Sequence, residues 1–263
     1  MPAPETSAPV LETRDLTIRF GGHVAVNAVS ARFQAGELTA IVGPNGAGKT
    51  TYFNLISGQL PATSGQILLD GADITGLAPS ARAQRGIGRA FQITSLFPNL
   101  SVHENVRLAV QARAREAASL TRLWSGMRDW IEKADRALEE VNLLAQRKTL
   151  AAALPHGDKR KLEVAIMMAL EPRVFMFDEP TAGMSVDEVP VILDLIARLK
   201  AQGDKTILLV EHKMDVVRSL ADRVVVLLNG TLSADGDPAT VTASAIVQEA
   251  YLGITPKAGG ARG

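Results

Sequence analysis

Gly43-Pro44-Asn45-Gly46-Ala47-Gly48-Lys49-Thr50-Thr51 is the stretch on which the reading of this chain turns. A compact apolar run, Leu38 to Val42, precedes it and reads as a buried strand, and Tyr52-Phe53-Asn54-Leu55-Ile56 follows it and reads as helix. Strand, glycine-rich loop, Gly-Lys-Thr and helix together fit the phosphate-binding pattern G-x-x-x-x-G-K-[ST]. Gly43, Gly46 and Gly48 let the backbone curl until successive N–H groups point inward, which makes a concave anion site. A helix starting near Lys49 adds the positive end of its dipole. Lys49 brings a full charge to β- and γ-phosphates, and the Thr50 hydroxyl can hold Mg²⁺. An ordinary strand-to-helix turn has no need of the Lys-Thr pair. The expectation is a site for a nucleoside triphosphate.

The composition sets the frame for that site. A chain of 263 residues is long enough for a substantial core, and 46% hydrophobic with 21% charged residues is ordinary for a globular protein. Lys plus Arg number 28 and Asp plus Glu number 28, so no net charge draws the chain to nucleic acid or an anionic membrane. Cysteine is absent, which excludes disulfides and thiolate metal sites and suits a reducing compartment. Apolar runs such as Val224 to Leu228 are far too short to span a bilayer. Residues 1–10 and 254–263 read as disordered tails, and the first of them lacks the basic start and apolar core of a signal peptide. A soluble, cytoplasmic protein is expected, with any membrane association made through partners.

Outward from the loop, strand ends carry polar residues repeatedly. Leu16, Ile18 and Phe20 alternate as a half-buried strand that Gly21-Gly22 breaks. Phe20 can stack on a purine or belong to the core, and chemistry alone favours the core. Asp70-Gly71 and Asn229-Gly230 each sit between apolar residues and read as hairpin turns. Arg85 to Phe91 reads as a strand ending at Gln92, whose amide oxygen can reach Mg²⁺ and water or simply face solvent. From Val106 to Leu150 the composition turns helical. Leu120, Leu123, Trp124, Met127, Trp130, Ile131, Ala134, Leu138 and Val141 form one stripe, and Gly126 is expected to kink or divide it. The two tryptophans fit core packing better than a partner surface.

Leu154-Pro155-His156-Gly157-Asp158 opens a helix running to about Leu170, with Asp158 as its expected N-cap and a Gly157 amide suited to anions. Val174-Phe175-Met176-Phe177 is a fully apolar strand ending in Asp178-Glu179. Paired carboxylates there carry a desolvation cost unless a cation or water meets them. Asp178 suits an outer-sphere Mg²⁺ partner, and Glu179 suits a residue that orients or deprotonates water attacking a γ-phosphate. Thr206 to Val210 repeats the pattern and ends at Glu211-His212. A histidine after a strand is usually structural, but a third polar strand end favours a γ-phosphate contact for His212.

In order, Phe20, Gly43 to Thr51, Gln92, Leu154 to Asp158, Asp178-Glu179 and His212 resemble the motif set of ABC transporter ATPase subunits. The resemblance covers nearly everything from Leu11 to Gly253 and implies an α/β fold. That fold is a P-loop NTPase cassette with a mostly parallel core sheet, an antiparallel β subdomain and a helical subdomain at about 93–170. One cassette over 11–253 is expected, since no internal repeat is evident. By the resemblance, Phe20 stacks on adenine, which reverses the preference drawn from chemistry alone. Gly43, Pro44, Asn45, Gly46, Ala47, Gly48, Lys49, Thr50 and Thr51 form Walker A, and Gln92 reaches Mg²⁺ and couples to the membrane subunit. Thr50, Gln92 and Asp178 serve the metal, Glu179, Gln92 and His212 serve hydrolysis, and Ala182-Gly183-Met184-Ser185 crosses to a partner ATPase. Gly157 and Asp158 belong to the signature that faces the partner's ATP. That signature is commonly Leu-Ser-Gly-Gly-Gln. Pro155 supplies neither the hydroxyl nor the N–H of the serine, so reduced support of hydrolysis at that half-site is expected.

The finer resemblance is to the branched-chain and hydrophobic amino acid uptake group. It rests on Gly88-Arg89-Ala90-Phe91-Gln92, on Leu96 to Val102 and on Glu249-Ala250-Tyr251-Leu252-Gly253. It implies ATP and Mg²⁺, a second ATPase subunit (the same chain or a paralogue), two integral-membrane permeases and, indirectly, a periplasmic solute-binding protein. Nucleic acid is not among the expected partners, and the subunit is expected on the cytoplasmic face of the inner membrane. Importers of urea, amides or aromatic acids and the lipopolysaccharide exporter carry similar segments. A stand-alone ABC ATPase of translation or repair usually has two cassettes or a long coiled-coil insert. A P-loop kinase or switch would not need Gln92, Leu154 to Asp158 and His212 together.

Overall fold

The computed structural model describes residues 10–90, 96–113 and 123–244, without the side chains of 123–127. In chain order, strand β1 (Leu11–Phe20) turns at Gly21-Gly22 into β2 (His23–Phe33), with Phe20 paired to His23. The uniformly buried β3 (Leu38–Val42) leads through the glycine-rich loop to helix α1 (Lys49–Ser57). A hairpin follows, β4 (Ser64–Leu69) and β5 (Ala72–Asp73), then α2 (Pro79–Gln84) and β6 (Ile87–Ala90). Helices α3 (Val102–Arg113), α4 (Leu123–Glu140) and α5 (His156–Ala169) come next, with short 3-10 turns at Leu144–Gln146 and Ala151–Ala153 before the last of them. The chain then runs through β7 (Val174–Asp178), α6 (Val189–Ala201), β8 (Thr206–Val210) and α7 (Met214–Leu220). It closes on β9 (Arg223–Leu228), β10 (Thr231–Gly236) and α8 (Pro238–Thr242).

These elements form two compact units, one from residues 1–78 with 206–263 and one from 79–205. In the first, β3 pairs in parallel with β8 and with β9, and β10 extends this sheet antiparallel. Strands that bury every residue from end to end, as β3 and β8 do, need cover on both faces, and parallel sheets provide it. Val217 of α7 and Val241 of α8 pack with Ala40, Val42, Val224 and Val226 on one face. The antiparallel sheet of the same unit has the order β2-β1-β4-β5. The fully buried Tyr52 of α1 shares a hydrogen bond of 2.8 Å with Thr13 of β1. Both expected hairpin turns are present, and their central residues have positive φ, as two-residue type I′ turns require. Val10, expected in the tail, is buried: its N–H donates to Phe33 O and its carbonyl accepts from Asp70 N.

In the second unit, β6 and β7 run parallel, and α3, α4 and α5 pack against one another. Trp130, Ala134, Leu138 and Val141 are buried, as their spacing predicts. Ile131 is not, because one residue is a 100° rotation and turns it off the stripe, leaving it 37% exposed. Trp130 is core. Leu120 and the side chains of Leu123, Trp124 and Met127 lie outside the described residues. Helix α4 runs through Gly126 undivided, since one glycine near a helix start costs only about 1 kcal/mol. Helix α3 begins at Val102, ahead of the expected Val106.

Candidate functional site

Helix α1 begins at Lys49 with Gly48 as its N-cap, in a left-handed conformation (φ 96°) and with no side-chain capping bond. Gly48 brings no side chain of its own to the first amides of α1, which is the arrangement an anion needs. Only glycine fits at this cap, because a Cβ on Gly48 would lie 2.5 Å from Ala25 O of β2. The β9–β10 turn is wedged against the loop alongside β2. Gly230 N donates to Ala47 O (3.1 Å), and Gly230 O accepts from Asn27 N of β2 (2.8 Å). Lys49 is 5% exposed, and its Nζ donates to Gly43 O at 2.6 Å and to Pro44 O at 3.0 Å. The cation is thus already held at the mouth of the curl by the loop's own carbonyls.

Two other expected residues fall in this unit. Phe20 is 49% exposed at the end of β1, so the preference for the core drawn from chemistry alone is corrected: at the strand's last position, beside the turn, half of the side chain stays open to solvent. Its open ring face suits stacking. Because β3 and β8 are parallel neighbours, the segment after Val210 leaves the same sheet edge as the phosphate loop. There the Glu211 carboxylate, 3% exposed, accepts from His212 N (2.8 Å) and Lys213 N (3.2 Å) and fixes the backbone that carries the His212 ring.

In the second unit, β7 ends on Asp178, and the next residue, Glu179, has φ 51°. Such a backbone is uncommon for a non-glycine residue and is tolerated where the surroundings impose it, often at functional sites. It turns the chain sharply, and Ala182 N closes the turn on Glu179 O (3.1 Å). Beside it lies a residue the motif reading missed. Arg89 of β6 donates from Nη2 to Asp178 Oδ2 at 2.8 Å, with 7% and 6% of the two side chains exposed. Burial pushes the Arg89 guanidinium below its usual value, and the Asp178 charge opposes that. Removing one partner of such a pair costs roughly 3–5 kcal/mol.

Helix α5 has Pro155 as N-cap with no side-chain bond, which corrects the expectation for Asp158. Asp158 lies inside the first turn, where its acid complements the dipole, and its Oδ1 accepts from Lys161 Nζ at 2.8 Å. The acid that sits on the helix start is Glu188, also missed. A Cβ on Gly157 would lie 1.7 Å from Glu188 Oε1, so the carboxylate rests directly on this glycine. Its Oε2 accepts from Ser185 N (3.1 Å) and Ser185 Oγ (3.0 Å), and these bonds hold the Glu188 carboxyl below the usual carboxylate range. The Gly157 start of α5 and the Ala182-to-Ser185 loop are thus tied together within one unit. Ser185-Val186-Asp187-Glu188 ahead of an apolar run fits the S-x-x-E capping box, the local signal that could have found Glu188, but nothing in it marks the contact with Gly157. Gln92 and the 249–253 segment lie outside the described residues.

Among the described residues no group of three or more His, Cys, Asp or Glu is placed to cage a metal. A hydroxyl at Thr50 and a carboxylate at Asp178 are hard oxygen donors, and Mg²⁺ characteristically takes only one or two protein oxygens alongside phosphates and water. Each of these, taken within its own unit, is a donor type that ion accepts. Also among the described residues, no helix is long and apolar enough to cross a membrane.

A glycine-rich loop between a buried parallel strand and a helix, with a lysine held at its mouth, defines a P-loop nucleotide-binding ATPase. The family model described as ABC transporter matches residues 26–182. The chain belongs to that family, as an ATP-binding subunit that hydrolyses ATP. It is 40% identical over 253 residues to the high-affinity branched-chain amino acid transport ATP-binding protein BraF of Pseudomonas aeruginosa, covering 94% of this chain and 99% of the relative. It is 38% identical to LivG of Escherichia coli K12, named for the same transport, with the same two coverages. Among solved structures, the ADP conformation of an ATP-binding cassette of an ABC transporter superposes with a TM-score of 0.79 at 29% identity, covering 94% of this chain and 100% of that one.

Proposed function

We propose that this ATPase subunit powers uptake of branched-chain or other hydrophobic amino acids through a membrane permease. The observation that carries the reading is end-to-end similarity to BraF and LivG, both named for branched-chain amino acid transport. The proposed working form is a single cassette over 11–253, with a helical subdomain at about 93–170, on the cytoplasmic face of the inner membrane. It pairs with a second ATPase subunit and two permeases that a periplasmic solute-binding protein supplies.

Each residue's proposed part follows from its chemistry. Phe20 offers an exposed ring to the adenine. The amides of Gly43 to Thr51 and the Lys49 ammonium take the phosphates, and a triphosphate has to draw Nζ away from Gly43 O and Pro44 O. Thr50, Asp178 and Gln92 would hold Mg²⁺, which would offset the charge of the phosphates. Glu179 orients or deprotonates the attacking water, and His212 meets the γ-phosphate.

The start of α5, with Gly157 and Asp158, faces the ATP of the partner subunit. A γ-phosphate arriving there has to displace the Glu188 carboxylate, since two anions at one helix start repel. ATP thus acts as an interfacial ligand, and hydrolysis removes the charge that made closure favourable. Glu179→Gln is the direct test, with ATP affinity retained, turnover lost and a long-lived ATP-bound dimer in size-exclusion chromatography. Hydrolysis at the wild-type rate refutes the role of Glu179. Co-purification with multi-spanning membrane proteins supports the transport reading, and co-purification with ribosomes or DNA contradicts it.

A further inference from the structure

Buried in the second unit is an ion pair that the motif chemistry does not use. Strands β6 and β7 are parallel neighbours with Arg89 opposite Met176. Asp178 lies two residues beyond Met176, so it projects to the same face and comes within reach of Arg89 as a diagonal neighbour. The resulting bond is short, at 2.8 Å, and both side chains are more than nine-tenths buried. Apolar residues in place of both partners would pack this face without the desolvation cost of two charges, and buried ion pairs add little net stability over such replacements. The pair therefore calls for a reason beyond folding, and its acidic member is the carboxylate assigned to Mg²⁺.

We propose that Arg89 is a positioning residue for magnesium-nucleotide binding: its guanidinium holds the Asp178 carboxylate in one orientation before the metal arrives. A planar guanidinium bonded to Oδ2 restricts rotation of the carboxylate about its own axis, which a single aliphatic neighbour cannot do. The metal then meets a preset acceptor, and the cost of ordering a buried carboxylate is met during folding and not during binding. Arg89 itself touches neither metal nor nucleotide in this scheme. It acts through Asp178, and the inference rests on the reading of Asp178 as the Mg²⁺ partner.

Fluorescent-ATP titrations of the full chain, in EDTA and across a Mg²⁺ series, test this on Arg89→Lys, Arg89→Gln and Asp178→Asn. Melting temperatures without nucleotide are recorded alongside. Arg89→Lys keeps the charge but loses the planar fork, and Arg89→Gln keeps a donor but loses the charge. The expected result is an unchanged affinity for Mg²⁺-free ATP with the Mg²⁺ half-saturation raised. The rise is several-fold for lysine and roughly tenfold or more for glutamine, the scale of one charge-assisted hydrogen bond. A lower melting temperature in either variant, with the Mg²⁺ half-saturation at its wild-type value, overturns the proposal and leaves Arg89 a purely structural partner. So does a loss of ATP affinity that is equal with and without Mg²⁺. Asp178→Asn separates the two layers. Unchanged Mg²⁺ dependence in that variant defeats the assignment of Asp178 itself, whereas a shift there with none in the Arg89 variants defeats the role of Arg89 alone.

Discussion

Replacing Gly230 with alanine measures how firmly the β9–β10 turn holds the phosphate loop. Gly230 has φ 78°, a left-handed conformation that costs an L-residue about 1–2 kcal/mol. Its new Cβ would also stand 2.6 Å from Ala25 O and 3.0 Å from Ala25 C, both backbone atoms of β2 that cannot rotate away. Either the turn or the strand has to shift. The bonds at stake are Gly230 N to Ala47 O and Asn27 N to Gly230 O, worth about 0.5–1.5 kcal/mol each. Together these terms give a destabilisation of about 2–5 kcal/mol. Gly71→Ala is the matched control. Gly71 occupies the equivalent place in the other hairpin with φ 75°, but nothing lies within 4 Å of its added Cβ, so only the conformational cost of about 1–2 kcal/mol applies. Urea unfolding midpoints and Mg²⁺-ATP affinities of the two variants form the assay. Gly230→Ala is expected to lose more stability than Gly71→Ala and to weaken ATP binding roughly tenfold, since Ala47 lies in the loop. Equal destabilisation of the two variants, with ATP affinity intact in both, would refute the wedge.

Three further substitutions probe the proposed chemistry. Lys49→Ala removes the charge at the mouth of the loop and is expected to cost about ten- to a hundredfold in ATP affinity by fluorescence titration, against no change if the lysine is only structural. Pro155→Ser restores a side-chain acceptor at the N-cap of α5 and a hydroxyl for the partner's γ-phosphate. ATPase rate and dimer lifetime should rise several-fold, and identical kinetics would mean that neighbours already compensate. Glu188→Ala clears the carboxylate from Gly157, so half-maximal ATP-driven dimerisation should occur at a several-fold lower ATP concentration. A higher requirement would instead mean that Glu188 helps to seat the nucleotide.

Much of this protein is readable because its decisive signals are local. A glycine-rich loop before a helix, an Asn-Gly or Asp-Gly turn and a run of five apolar residues each act through neighbours in the chain, and all of them are found where the residues put them. The corrections have an equally physical origin. Phe20 alternates like a core residue yet sits at the end of a strand, where half of the side chain stays exposed. Asp158 looks like a cap, but the helix begins two residues earlier, because Pro155 fixes its own φ and starts the turn.

What the chain settled alone was the chemistry available: phosphate-gripping amides, a lysine, hard oxygen donors and two acids after a buried strand. Only the fold decided which side chains meet. Arg89 and Asp178 are 89 residues apart and touch because two parallel strands share a register, and Glu188 reaches Gly157 because a turn carries it back onto the helix start. Local sequence specifies conformation over a few residues, whereas burial and pairing of charge depend on what the packed chain brings within a few ångströms, and there the weak preferences of single residues yield to the cost of leaving a buried polar group without a partner.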